Sequence, residues 1–156
     1  MGLEVRFLSG APMSRLNKNE YFLEIAKTVA KRGTCIRRQV GCVLVNSNGH
    51  IVATGYNGVP KGFKHSIDNP CEGAGYPSGK GLDKCEAIHA ELNALVQLRS
   101  DDTSLSMYTT TTPCIACAKV ICNSLVKRVV SFSQYSQDTL SMFAWAEIKL
   151  EILDKI

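Results

Sequence analysis

The sequence predicts an α/β layered domain whose later strands run parallel. Two observations carry that reading: a β-rich hairpin comes early, and after it short strand-like runs alternate with segments of helical period. With 156 residues, 45% of them hydrophobic and 21% charged, the chain is long enough to bury a real core. We therefore expect one domain over residues 1–156.

Residues 1–15 carry no period and read as a loosely held arm. From Asn19 onward Tyr21, Phe22, Ile25, Ala26, Val29 and Ala30 recur at helical spacing, with Gly33 as a stop. Val40–Val45 and Ile51–Tyr56 are strands joined by the turn-forming Asn46-Ser47-Asn48-Gly49. Residues 57–85 are rich in Gly, Pro, Asp, Asn and Lys and show no period. A stretch that long in a compact domain is functional or is held by something. Helices are then expected over Ile88–Leu98, Ile115–Leu125 and Asp138–Glu147. Strands are expected at Leu105–Thr110, Arg128–Ser133 and Lys149–Leu153.

Eighteen basic against 14 acidic residues give a formal charge of +4, which fits an anionic substrate and is weak for a nucleic-acid footprint. The densest basic run, KRGTCIRR at 31–38, reads first as a solvated face or helix end. No apolar stretch approaches the roughly 18 residues a bilayer span needs. The N-terminus also lacks a basic start followed by an apolar run, so a soluble protein of the reducing cytoplasm is expected.

Seven cysteines, at 35, 42, 71, 85, 114, 117 and 122, are an odd count and a poor disulfide framework. Cys42 and Cys122 lie in apolar stretches and read as small buried hydrophobes. The other five call for metal or catalytic chemistry.

That chemistry is concentrated in His89-Ala90-Glu91 and, 24 residues after His89, Pro113-Cys114-Ile115-Ala116-Cys117. Either half alone is weak; together they match the H-x-E…P-C-x-x-C pattern of zinc-dependent nucleobase deaminases. Catalytic zinc takes three protein ligands and keeps one position open, and His89, Cys114 and Cys117 supply three. Cysteines three apart at a helix start share a face, and the helix N-terminus favours their thiolates. A structural zinc would be closed by a fourth Cys or His. Here the carboxylate of Glu91 stands two residues from a ligand, as a general acid and base needs. A His89–Cys114–Cys117 site completed by another cysteine is the plainer alternative.

Three phrases narrow the resemblance: Gly55-Tyr56-Asn57-Gly58-Val59-Pro60, His89-Ala90-Glu91-Leu92-Asn93-Ala94, and Thr112-Pro113-Cys114-Ile115-Ala116-Cys117-Ala118-Lys119. From about Tyr21 to Ser133 the chain resembles the deoxycytidylate deaminases of the cytidine deaminase superfamily. The resemblance implies a three-layer α/β/α fold with a five-stranded mixed sheet, hydrolysis of dCMP to dUMP and ammonia for thymidylate synthesis, and a homo-hexamer. It also implies that Asn46 bonds the substrate sugar, or is an ordinary turn residue, and that Tyr135 packs on the pyrimidine, or is a rim aromatic. Arg37 is assigned to the 5′-phosphate because a guanidinium can hold it with two bonds, with Arg38 and Lys61 as alternatives. Gly55, Tyr56, Asn57 and Gly58, with Asn93, resemble a site for nucleoside triphosphate effectors, dCTP activating and dTTP inhibiting; a plain turn and a loop cap are the alternatives.

Cys35, His65, Cys71 and Cys85 flank or lie in the long irregular stretch and are four soft ligands, the set a structural zinc prefers. Relatives carry cysteine or histidine at comparable places; here Ser66 stands beside His65 and leaves the fourth ligand open. Unliganded thiols with a surface His65 are the other reading, and His50 is expected to be exposed in the hairpin turn. Three rivals to dCMP remain: dCTP or deoxycytidine as substrate, a polynucleotide deaminase, and an inactive zinc-held module. The ending EIKLEILDKI is neither basic nor aromatic, which counts against the polynucleotide, and intact Glu91 counts against the inactive module.

Overall fold

The run Gly41-Cys-Val-Leu-Val45 is apolar without alternation, the pattern of a strand covered on both faces. It forms β1 (Gly41–Asn46), buried over all but its last residue. β1 pairs antiparallel with β2 (Ile51–Tyr56) on one side and with β3 (Leu105–Thr109) on the other. β4 (Val126–Ser131) runs parallel to β3, and β5 (Lys149–Ile152) parallel to β4. The sheet is therefore mixed and five-stranded, in the order β2-β1-β3-β4-β5. These statements come from a computed structural model that describes residues 14–77, 79–99, 101–133 and 137–153.

Alternate side chains of the strands serve two separate cores. On one face α1 (Lys18–Ala30) lays Phe22, Leu23 and Ala26 against Val43, Val45, Tyr108 and Val130. On the other, α2 (Ala90–Gln97), α3 (Ile115–Cys122) and α4 (Gln137–Trp145) bring Ala90, Ala94, Ile121 and Phe143 onto Cys42, Leu44, Met107 and Val129. The result is the expected three-layer α/β/α sandwich.

Two glycines set how closely helix and strand approach. A Cβ on Gly41 would stand 2.0 Å from the Ala26 carbonyl oxygen, so α1 lies directly on β1. A Cβ on Gly55 would stand 2.2 Å from the Ala90 carbonyl oxygen and 2.4 Å from the Ala94 nitrogen, so α2 lies equally close on β2.

Element boundaries differ from expectation for local reasons. α1 starts after a capping box, in which Asn17 and Glu20 exchange hydrogen bonds of 2.9 Å. α2 starts at Ala90 rather than Ile88 because His89 is its N-cap, in extended conformation, and Ile88 is drawn into a two-bond bridge with Gly58. β4 starts two residues early because Val126 pairs with Leu105. Within 57–85 the chain forms two short 3₁₀ turns, Glu72–Gly75 and Leu82–Lys84. Residues 1–13 of the expected arm lie outside the described residues. Among the described residues no helix is long and apolar enough to cross a membrane.

Candidate active site

α3 follows the C-terminal end of the central strand β3, and the start of α2 meets the start of α3 there, at one end of the sheet. Each starts on a residue able to bind metal: His89 caps α2 and Cys114 caps α3, and both have extended backbones at φ near −70°. His89 Nδ1 lies 3.4 Å from Cys114 Sγ and 3.3 Å from Cys117 Sγ. The loop that presents Cys114 is pinned to the neighbouring elements. Thr139 Oγ1 donates to the Pro113 carbonyl at 3.0 Å, the Thr112 and Ser131 hydroxyls bond at 2.8 Å, and the Thr112 hydroxyl also donates to the Ser133 carbonyl.

Zinc fits this set. Tetrahedral coordination with Zn–S near 2.3 Å and Zn–N near 2.0–2.1 Å requires sulfur–nitrogen separations of about 3.5 Å. The two observed separations match it within a few tenths. Electrostatics agree: the Cys117 thiol and His89 hold the Cys114 thiol down to about 4, and the Cys114 thiolate beside it pushes Cys117 up. The same Cys114 thiolate raises His89. Among the described residues this is the one cluster of three such donors within 4.8 Å of one another.

Glu91 lies in the first turn of α2, 4% exposed, and Cys117 Sγ donates to its Oε2 at 3.8 Å. Burial raises its carboxyl above the usual range, against the opposing pull of its own backbone N–H and of His89. Glu91, His89 and Cys114 open onto a cavity of about 590 Å³, its mouth included, whose walls include Arg38, Asn57 and Thr111.

The other residues singled out from sequence are distributed as follows. Arg37 and Arg38 both border the cavity. The Arg37 guanidinium is engaged, however: Nη1 donates to the carbonyls of Lys80 at 2.7 Å and of Tyr76 and Pro77 at 3.4 Å, and it lies beside Cys85 and Cys35. It fastens the 76–80 loop and is not turned free toward a phosphate. Asn46 is corrected outright. It sits opposite Leu105, at the far end of β1 from the cavity. Its Oδ1 accepts from the Asn48 and His50 backbones at 3.1 and 2.9 Å and its Nδ2 donates to Asp102 at 3.2 Å, so it organises the hairpin turn. Tyr135 lies outside the described residues.

Cys35 and Cys85 line the cavity and Cys71 is buried, its thiol lowered chiefly by the Glu86 backbone N–H; His65 is exposed. No three of Cys35, His65, Cys71 and Cys85 come together as a metal cluster. In the Gly55–Gly58 segment, Gly55 and Gly58 serve close packing, Gly58 against the Thr34 hydroxyl. The Asn93 side chain donates to the Tyr56 carbonyl at 2.8 Å and ties β2 to α2.

Sequence reasoning put Asn57 with the effectors; the structure puts it in the cavity wall. Its Nδ2 donates to the Arg38 carbonyl and its Oδ1 accepts from the Val40 N–H, both at 2.7 Å, which brackets the segment carrying Arg38. Thr111 and Thr112, also in the wall, were passed over, although the threonine run leading into Pro113 was their signal.

A five-stranded mixed sheet between helices, with a His-Cys-Cys cradle at two helix starts and a buried carboxylate beside it, defines a cytidine-deaminase-like protein. The chain matches, over residues 16–133, the family described as the cytidine and deoxycytidylate deaminase zinc-binding region, and it belongs to that family. It is similar to the deoxycytidylate deaminase of Schizosaccharomyces pombe, 38% identical over 138 residues that make up 85% of this chain and 42% of that protein. It thus spans about two fifths of that relative's length. The deoxycytidylate deaminase of Mycobacterium phage D29 is 40% identical over 124 residues, covering 76% of this chain and 96% of that one. Among solved structures, the dCMP deaminase of cyanophage S-TIM5 in complex with dCMP and dUMP superposes with a TM-score of 0.66 at 26% identity, covering 86% of this chain and 95% of that one.

Proposed function

We propose that this chain catalyses the hydrolytic deamination of dCMP to dUMP and ammonia, as a single deaminase domain, supplying dUMP for thymidylate synthesis. The observation that carries the reading is Glu91, buried beside Cys117 at the rim of the His89–Cys114–Cys117 cradle and lining the cavity onto which that cradle opens. The relatives named above, one of them solved with dCMP and dUMP, support the substrate.

His89 Nδ1 and the two sulfurs would hold the zinc, while Asn57 and the threonine loop keep the walls in place. Zinc bound by three protein donors supplies an activated water at neutral pH. Glu91 takes a proton from the attacking water and gives it to N3 of the cytosine ring. As oxygen bonds to C4, Glu91 carries the second proton to the exocyclic amine, the C4–N bond breaks and ammonia leaves. Substrate and water then balance as dUMP and ammonia.

Finer parts of the reading belong to the same proposal. dCTP activates and dTTP inhibits at Gly55–Gly58 and Asn93; since Asn93 ties Tyr56 to α2, and Gly58 bridges Ile88, an effector bound there acts on the helix that begins with His89. Cys35, Cys71 and Cys85, with His65 or another group, take a second, structural zinc that draws them together and orders residues 57–85, and the chain works as a cytoplasmic homo-hexamer. The family resemblance supports these parts. The test is ammonia release from dCMP, dCTP, deoxycytidine and a cytosine-containing oligonucleotide, each with and without dCTP or dTTP, beside zinc content and mass in solution. Turnover of dCMP suppressed by dTTP is the expected result. Activity on the oligonucleotide alone would replace the substrate and leave the zinc chemistry standing.

A further inference from the structure

A second cleft lies against the α1 side of the sheet, next to the active-site cavity. It is lined by Lys27 and Lys31 from the end of α1, by Arg38, by Thr110 and Thr111 just beyond β3, and by Phe132 just beyond β4. Lys27 and Lys31 are four apart on the helix and share a face. Among the described residues no acidic one lines the cleft. Lys27 is paired with Glu24 at 2.5 Å and lies 4.4 Å above the centre of the Phe132 ring. Among the described residues, the side chains of Lys31 and Arg38 have no acidic partner.

Arg38 and Thr111 border both cleft and cavity, so the two adjoin at these residues. A pyrimidine whose C4 reaches the His89–Cys114–Cys117 cradle would have to direct its 5′ end past Arg38 to enter the cleft. Arg37 is fastened to the 76–80 loop, which leaves Arg38, bracketed by Asn57, as the first cation the 5′ end meets. One phosphate is satisfied there. Lys31, and Lys27 beyond it, exceed what a monophosphate needs and continue the cationic line with threonine hydroxyls beside it.

We infer that this cleft is a polyphosphate subsite, and that the 5′-di- and triphosphates of deoxycytidine are substrates alongside the monophosphate. The inference rests on the deaminase reading for its catalytic half and on the cleft alone for its binding half. It also turns the basic run at 31–38 from a merely solvated surface into part of the substrate path.

The experiment has two arms on the zinc-loaded chain. Inorganic tripolyphosphate and orthophosphate are titrated calorimetrically into the natural protein, Lys31→Gln and Lys31→Gln/Arg38→Gln. In parallel, kcat/KM is measured for deoxycytidine, dCMP and dCTP. Tripolyphosphate should bind more tightly than orthophosphate, about tenfold more weakly in Lys31→Gln and more weakly still in the double variant. The ratio of kcat/KM for dCTP to that for deoxycytidine should fall about tenfold in Lys31→Gln, and the tripolyphosphate affinity should drop with added salt. Turnover of dCMP with neither tripolyphosphate binding nor the dCTP ratio sensitive to Lys31 would overturn the subsite and leave the deaminase reading intact. Lys31-dependent binding of tripolyphosphate by a chain inactive on all three compounds would do the reverse. Because Lys31 is exposed, its substitution does not put folding at risk.

Discussion

Cys117 Sγ stands 3.8 Å from Glu91 Oε2, the two side chains projecting from different helices, α3 and α2, toward the same point. Neither helix alone could make the site. α2 contributes a ligand from its N-cap and a carboxylate two residues further on, and α3 contributes both thiols. The sheet order, with α2 and α3 on one face and their starts meeting at one end of the sheet, turns two short motifs into a single centre.

The close seat of α2 on β2 holds His89 in place, and Gly55 is its contact point. Gly55→Ala must displace either Ala90 or the strand, since the added carbon would lie 2.2 Å from a backbone oxygen. We expect a loss of about 2–3 kcal/mol or more in denaturant unfolding together with weaker zinc retention under chelator challenge. An alanine variant with unchanged midpoint and unchanged zinc would refute this packing role.

Asn46 organises a turn at the far end of β1. Asn46→Ala should cost about 1–2 kcal/mol of stability through three lost hydrogen bonds, one of them to Asp102, while KM for dCMP stays within twofold of the natural value. A large rise in KM at unchanged stability would return Asn46 to the substrate.

Glu151 gives a pH-dependent contribution remote from the metal centre. The Arg128 guanidinium, donating at 3.0 and 2.7 Å, and then Lys149 at 2.7 Å hold its carboxyl down to about 2, against an ordinary 4.5. Asn19 donates to the same carboxylate at 3.3 Å, and Arg128 also bonds Tyr108 and Asn19, both at 2.9 Å, so α1, β3, β4 and β5 are joined. A lowered folded-state value means that the stabilisation is complete above about 4.5 and is lost as pH falls toward 2. Glu151→Gln should cost on the order of 1–3 kcal/mol at pH 7, and the gap between variant and natural protein should close between pH 4.5 and 2. A gap that does not change over that window would mean the carboxylate charge contributes nothing.

Most of the site was readable because ligand chemistry restricts residue type and spacing so tightly: few arrangements other than a zinc cradle explain His89, Glu91, Cys114 and Cys117 together. The strands and helices were readable from period, and so was the start of α3 at Ile115; other ends were not, because His89 leaves α2 as its N-cap and Val126 joins β4 through pairing with Leu105. Asn46 was misplaced because local pattern shows a strand end without showing which end faces the site. That depends on β1 running antiparallel to β3. Arg37 was read as a phosphate ligand because the carbonyls that engage it lie about forty residues along the chain. Asn57 was read with the effector segment because its partners, Arg38 and Val40, meet it only in the folded chain.

The account stands most directly on Glu91. Glu91→Gln keeps the shape and the buried position while removing the carboxylate that moves protons. Zinc content and kcat for dCMP, measured on the same preparation, should show metal retained at the natural level and turnover reduced by about 10²–10⁴-fold. Turnover within a few-fold of the natural protein, with zinc bound, would contradict the central claim.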